Sequence, residues 1–369
     1  MLRDNECHMP RLLFIDLDYH LKTSSSRFMQ EFLSSEFDIE YHCENAHGFF
    51  ENGRRIPSLR RKNYDVLVYW QVTGSMKYLV PKINVRCKIF FPMYDELQDL
   101  LADKEEVHAY LGNLVDFKII CFCKAAYEQF KRLGFDAYYF QFYCNPQAGL
   151  SYGNVSSLFF WKRNNDVTVE TVVKIVNKLS ISHIHWHDVP DPGCNSDFDS
   201  LPDNVRQMTT SSEWFPNKLD MINVMNQSAL FLAPRAKEGI GMSFLDAMAH
   251  GRCVIAIDSP TVNEYIKDGW NGILYRRGTE FPYYSEENIR KMQHNALMSI
   301  KNGYGNWLAC KSSLLQLLNS SARDSIPEDR RQKYVASARR RNFRIKIQHL
   351  KMFLAHFIKV YFITILKKR

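Results

Sequence analysis

The chain has 369 residues, of which 46% are hydrophobic, 14% aromatic and 24% charged; this excludes a disordered or fibrous protein and exceeds one ordinary core, so two domains of roughly 150 residues each are expected. The net charge of +8 is not evenly spread, because 13 Lys and Arg and no acid follow from Arg330 onward, which leaves the first 329 residues at −5. A nucleic-acid-binding body is thereby excluded, and the basic signal belongs to the tail alone.

The opening MLRDNECHMPRLLFIDLD places acids before its apolar run and has no small-residue cleavage site, so no secretory signal is expected. Nine cysteines lie scattered without a CxxC pair, which reads as reduced, buried thiols of a cytosolic protein. The apolar runs 11–17, 38–43, 64–70, 87–91, 117–123 and 137–142 read as strands, and the amphipathic stretches 25–35, 95–111 and 124–133 between them as helices. Near-continuous apolar strands separated by helices imply a parallel sheet covered on both faces. CNPQAGLSYGN (144–154) breaks the pattern with Pro, Gly, Ser and Asn, as a linker would.

After it the alternation restarts. Strands are expected at 155–161, 183–187, 205–208, 229–234 and 253–258, and helices at 167–179, 218–227 and 243–250. The fold class is α/β, with two Rossmann-like parallel-sheet domains facing a cleft. The expected boundaries are 1–148 for the first domain, 149–302 for the second, 303–329 for a helix packing back towards the first, and 330–369 for a basic amphipathic tail. Ligands of such sheets sit beyond the carboxyl ends of strands, at helix N-termini.

One such end reads RAKEGIGM, followed by the helix SFLDAMAH. Its glycines let the backbone approach a ligand, and free amides at a helix start favour an anion such as a diphosphate. Glu238 carries the wrong charge for a phosphate contact but accepts well from sugar hydroxyls, and Asp246, expected in the first turn of the helix, could accept from a ribose. The plainer reading is that the two acids complement the helix dipole and that Gly239 and Gly241 shape a turn.

The run from Ala229 to Leu274 resembles the nucleotide-binding half of retaining glycosyltransferases of the GT-B fold, family 4 in particular. The matching elements are the E-x7-E motif, here Glu238 and Asp246, the AMAHG helix end, the apolar strand after it, Asn263-Glu264-Tyr265 and DGWNG at 268–272. The resemblance implies that Glu238 contacts the donor sugar, that Asp246 holds the ribose, and that the amides of Gly239, Ile240, Gly241 and Met242 hold the diphosphate. It also implies a basic residue at the end of the second domain's first strand, which is Arg163 with Lys162 as the near alternative; a guanidinium there would neutralise charge on the departing diphosphate.

The chain departs from the family in several places. The second acid of the motif is Asp. The lysine usual a few residues after the arginine is missing from NNDVTVE, so Lys237 is a candidate substitute. The loop after the first strand lacks glycine, and the usual His-Asp after the fourth strand is Tyr94-Asp95. Tyr94, Asp95 and His20 are the acceptor-side candidates. The implied activity is transfer of a sugar, with retention, from a nucleoside-diphosphate sugar to a hydroxyl of a saccharide or lipid-linked acceptor. Bacterial lipopolysaccharide or surface-polysaccharide assembly is the expected setting, with no metal or other cofactor. The competing reading is a catalytically inactive protein of the same fold that binds nucleotides or regulates.

Four further signals stand apart from this run. Asp16 and Asp18 have the spacing of a phosphatase nucleophile motif, but His20 stands where threonine is required. His183, His185 and His187 share one strand face and read as packed or hydrogen-bonded rather than metal-ligating. Cys121 and Cys123 read as core. The tail joins clustered Lys and Arg to an apolar stretch, FLAHFIKVYFITIL, too short to span a membrane, which suits a peripheral seat on the anionic inner face of the cell membrane.

Overall fold

A computed structural model describes residues 9–44, 58–59, 61–71, 74–100, 104–146, 152–323 and 325–366. Residues 147–151 of the expected linker lie outside the described residues. The first sheet comprises β1 (Arg11–Leu17), β2 (Asp38–Glu44), β3 (Val66–Trp70), β4 (Cys87–Phe91), β5 (Lys118–Cys121) and β6 (Ala137–Tyr139), in the order β2-β1-β3-β4-β5-β6. The second comprises β7 (Asn154–Lys162), β8 (His183–Asp188), β9 (Thr209–Ser212), β10 (Ser228–Leu232), β11 (Cys253–Ile257) and β12 (Gly272–Tyr275), in the order β12-β11-β10-β7-β8-β9. Every pairing is parallel. The central strands are fully buried along Leu12–Ile15, Val66–Trp70, Ala229–Leu232 and Cys253–Ala256, which is why their sequences are apolar without alternation.

Strand order decides where a ligand can sit. In the first sheet it reverses between β1 and β3, and in the second between β7 and β10. At such a switch point the following helices leave to opposite faces and open a crevice beyond the carboxyl ends. The segments that follow β1, β7 and β10 carry His20, in the short helix Tyr19–Thr23, Arg163 and Glu238.

Several local expectations change. VRQM (205–208) is not a strand: the short helix Asp203–Arg206 precedes β9, because Pro202 supplies a helix start and the threonines and serines follow. The stretch 95–111 divides into Tyr94–Leu100 and Lys104–Gly112. Asp246 falls in the second turn of its helix, Met242–Ala249, rather than the first.

The helix Glu286–Leu318 has 33 residues and is started by a capping box between Ser285 and Asn288. It begins far upstream of residue 303, with Ile289 and Met292 in the core of the second sheet. Its far end reaches the first sheet, where Trp307 packs on Phe142 (5.3 Å between centroids), Phe28 (6.1 Å) and Phe122 (6.4 Å). Gly303 is required midway, since a Cβ there would lie 2.2 Å from the Tyr143 ring. Glu264 ties the halves a second time: from the second half it accepts the Lys124 amide (2.8 Å), at the start of the first-half helix Lys124–Arg132, and the Tyr139 hydroxyl (2.8 Å).

The tail forms the helix Glu328–Leu366. Its first part is not a free appendage: Tyr334, Ser337 and Ala338 are buried, Tyr334 stacks on Phe135, and the Tyr334 carbonyl presses on Gly112, where a Cβ would lie 2.2 Å away.

Candidate functional site

The loop between β10 and the helix Met242–Ala249 is fixed from three sides. Asp166 accepts the Ala236 amide (3.0 Å), Ser259 donates to the Ala236 carbonyl, and the buried Thr261 donates to the Glu238 carbonyl (2.6 Å). Thr261 holds φ 72°, a conformation that a β-branched residue keeps only when its surroundings impose it. Gly241 is obligatory, with φ 85° and only 1.9 Å from a would-be Cβ to the Phe244 ring. Among the described residues the amides of Gly239, Ile240 and Gly241 donate no hydrogen bond within the protein. The Ile240 side chain is buried in the core, and Met242 is partly buried against it. Gly239 meets the first half: a Cβ on it would lie 2.6 Å from Met93 Sδ and 3.1 Å from Asp95 Oδ1.

Glu238 is half-buried, and burial pushes its carboxyl up to about 7. Arg235 pulls it back down, Asp95 adds to the rise and Arg163 opposes it. Arg163 stands over the Trp161 ring (4.8 Å) and pairs with Asp191 at 2.6 Å. Arg235 pairs with the same Asp191 and reaches Asp95 of the first half at 3.5 Å. Burial pushes the Asp95 carboxyl up too, against the pull of Arg235, and its Oδ1 is buried without a hydrogen-bond partner. Two guanidinium groups and three carboxylates thus converge at the β7–β10 switch point, facing the end of β4.

Lys162 does not join them. It is fully buried, with its Nζ 2.6 Å from Asp197. Lys237 is half-buried beside Glu238. Asp246 pairs with Lys218 at 2.6 Å, an exposed contact worth about 0–1 kcal/mol that hydroxyls could exchange for their own.

On the first-half side, His20 Nδ1 is paired with the buried Asp16, which also accepts the Ser26 hydroxyl and the Leu17 amide (2.7 Å). The aspartate that resembled a phosphatase nucleophile therefore fixes a histidine. Tyr94 is only 4% exposed and belongs to the core of the first sheet, so its ring does not line the cleft as the sequence had led us to expect. Glu96 lies near Asp95, His20 and Arg235, and burial pushes its carboxyl up to about 7 even though the Gln71 amide donates to it.

An aromatic group closes the side of β8. His187 lies 4.9 Å from Phe215 and 5.1 Å from Trp161, Trp214 edges onto Trp161, and Lys22 of the first half stands 4.4 Å over the Trp214 ring. His185 and His187 bond Ser212 at 2.9 and 3.0 Å, and burial lowers both to about 4, so they are neutral.

Arg235, Asp191, Glu96 and Thr261 escaped the sequence reading. Arg235 had one usable signal, a charge placed directly after a buried strand; the others depend on loops meeting in space.

Residues 153–284 match the family described as Glycosyl transferases group 1. No curated protein matches the chain in sequence. Among solved structures, sucrose-phosphate synthase from Thermosynechococcus elongatus superposes with a TM-score of 0.66 at 12% identity, covering 83% of this chain and 98% of that one. Anabaena HepE in complex with UDP and glucose gives 0.58 at 12% identity, covering 84% and 99%. The lipopolysaccharide outer core galactosyltransferase WaaB in its apo form gives 0.52 at 15% identity, covering 82% and 99%. At these identities the likeness is one of fold, and it spans both sheets. Residues 153–284 are thus similar to the group 1 glycosyltransferases, and the two facing parallel sheets share the GT-B-like fold of these solved structures.

Proposed function

We propose that the protein moves a sugar from a nucleoside-diphosphate sugar to a hydroxyl of a saccharide or lipid-linked acceptor, in bacterial lipopolysaccharide or surface-polysaccharide assembly. The observation that carries this reading is the meeting of Glu238 with Arg163 and Arg235 at the β7–β10 switch point, opposite Asp95. In this reading the Glu238 carboxylate accepts from donor-sugar hydroxyls, the amides of 239–242 face the diphosphate, Asp246 exchanges Lys218 for the ribose, and Trp214 and Phe215 offer the base a stacking face.

Transfer breaks the bond from the sugar's C1 to the phosphate oxygen, and that electron pair stays on the diphosphate. The acceptor oxygen bonds C1 on the same face and gives its proton to the departing phosphate oxygen. No protein base is then needed, and the task of the site is electrostatic: Arg163 stabilises the leaving charge. His20, oriented by Asp16, and Asp95 hold the acceptor side. Contact between the two halves keeps water from the donor.

The acceptor class is supported by the tail. Its far part combines Lys and Arg with apolar residues, and seated on the anionic cytoplasmic face of the membrane it would keep the cleft near a lipid-linked acceptor. Among the described residues no helix is long and apolar enough to cross a membrane.

A thermal-shift panel of nucleotide sugars tests the donor class. A ligand held at 100 times its dissociation constant adds about 2.7 kcal/mol, so at least one nucleoside-diphosphate sugar should raise the melting temperature clearly. A flat response to the whole panel would reject the reading.

A further inference from the structure

The family's second cation, a lysine shortly after the arginine, has no counterpart in NNDVTVE. That segment carries Asp166, whose carboxylate is spent on the Ala236 amide (3.0 Å) and on Arg277 (2.7 Å). Lys162 is spent on Asp197 at 2.6 Å. Apart from Lys237, half-buried beside Glu238, the leaving diphosphate would otherwise face one guanidinium.

We infer that Arg235 is the second cation of the diphosphate site, supplied from the end of β10, and that Asp191 is a positioning residue holding Arg235 and Arg163 side by side. The inference rests on the reading of the cleft as a nucleotide-sugar site. Three observations carry it. β7 and β10 are hydrogen-bonded neighbours, so the residues just beyond their ends share one crevice. Asp191 accepts from both guanidinium groups, one on each carboxylate oxygen and at 2.6 Å from Arg163, so a single carboxylate bridges the two positive charges. Arg235 precedes Glu238 by three residues and ranks first among the charges acting on it, ahead of Arg163.

The contact that Arg235 makes with the first half is the exchangeable one. At 3.5 Å it is long for an ion pair, and Asp95 leaves its other oxygen without a partner. A diphosphate entering the crevice would replace Asp95 on Arg235, while Asp191 keeps both guanidinium groups aimed. An arginine suits this better than a lysine, because its planar fork can serve Asp191 and a phosphate oxygen together.

Calorimetric titration of the full chain with UDP, GDP, ADP and CDP, each beside its own nucleoside, tests the assignment. In the wild type the gain of diphosphate over nucleoside measures the phosphate site alone. Arg235→Gln should cut that gain about 10- to 100-fold and leave nucleoside affinity unchanged, and Arg235→Lys should keep part of it. Asp95→Asn, which removes only the partner across the cleft, should tighten diphosphate binding. Equal gains in wild type and Arg235→Gln would overturn the assignment. So would parallel loss of nucleoside affinity, or a loss in Asp95→Asn matching that of Arg235→Gln, since either makes Arg235 a strut. If no diphosphate binds the wild type better than its nucleoside, the nucleotide-sugar reading itself falls, and this inference with it.

Discussion

The position of Glu238, in a glycine-bearing loop between a buried strand and a helix, was legible in the sequence because its signal is local. Its partners were not legible, since Asp191 and Asp95 reach it only through strand order and through packing of one half on the other. Lys162 and Arg163 show how fine the local signal is. One step along a strand changes the face a side chain serves, so Lys162 turns inward to Asp197 while Arg163 meets Asp191. Tyr94 was misjudged similarly, since its place at a helix start after β4 aims the ring into the core.

The raised carboxyl of Glu238 makes a pH prediction. Its folded value of about 7 stands above the ordinary 4.5, so between those values the folded chain binds more protons at this group than the unfolded chain, and the group costs stability as pH rises. Under the proposed function activity runs the other way, because the ionised carboxylate is the form that would accept from sugar hydroxyls. We expect kcat/KM to climb through about pH 7, a limb belonging to the free enzyme. Glu238→Gln should flatten it and Glu96→Gln should preserve it, although Glu96 also stands at about 7; a limb that persists in Glu238→Gln would assign the titration elsewhere.

At the scale of elements, strands with unbroken apolar runs were readable to within one or two residues: β1 and β4 fall where the sequence put them. Helix limits were less readable. The helix Glu286–Leu318 crosses from one core to the other, and the change of burying partner along its length hides any single periodic stripe. The tail helix changes character along its length too. Residues around Tyr334 and Ala338 are packed, so the proposed membrane contact of the tail is assigned to its distal part. Removing 346–369 deletes six of the basic residues, each worth about 1 kcal/mol at an anionic surface, and should abolish sedimentation with anionic phospholipid vesicles without lowering the melting temperature. Removing 328–369 should lower the melting temperature as well, because Phe135 and Gly112 lose their cover. Vesicle binding that survives loss of 346–369 would place the membrane contact on another surface.

At the scale of the molecule, two domains could be read from the restart of the strand and helix alternation after residue 154, and two six-stranded parallel sheets follow from it. What the chain's linear order could not convey is how closely the halves meet: Glu264 capping a helix of the other half, Trp307 among first-half rings, and Met93 against Gly239. These contacts bring Asp95 to the loop that carries Glu238 and set the two switch points against each other. The most direct test of that cleft is the rate at which the purified chain consumes the nucleotide sugar that stabilises it, with wild type beside Glu238→Gln. Turnover by the wild type and a loss on the order of 10²-fold in the variant are predicted; equal rates in the two proteins, or none in the wild type, would contradict the account.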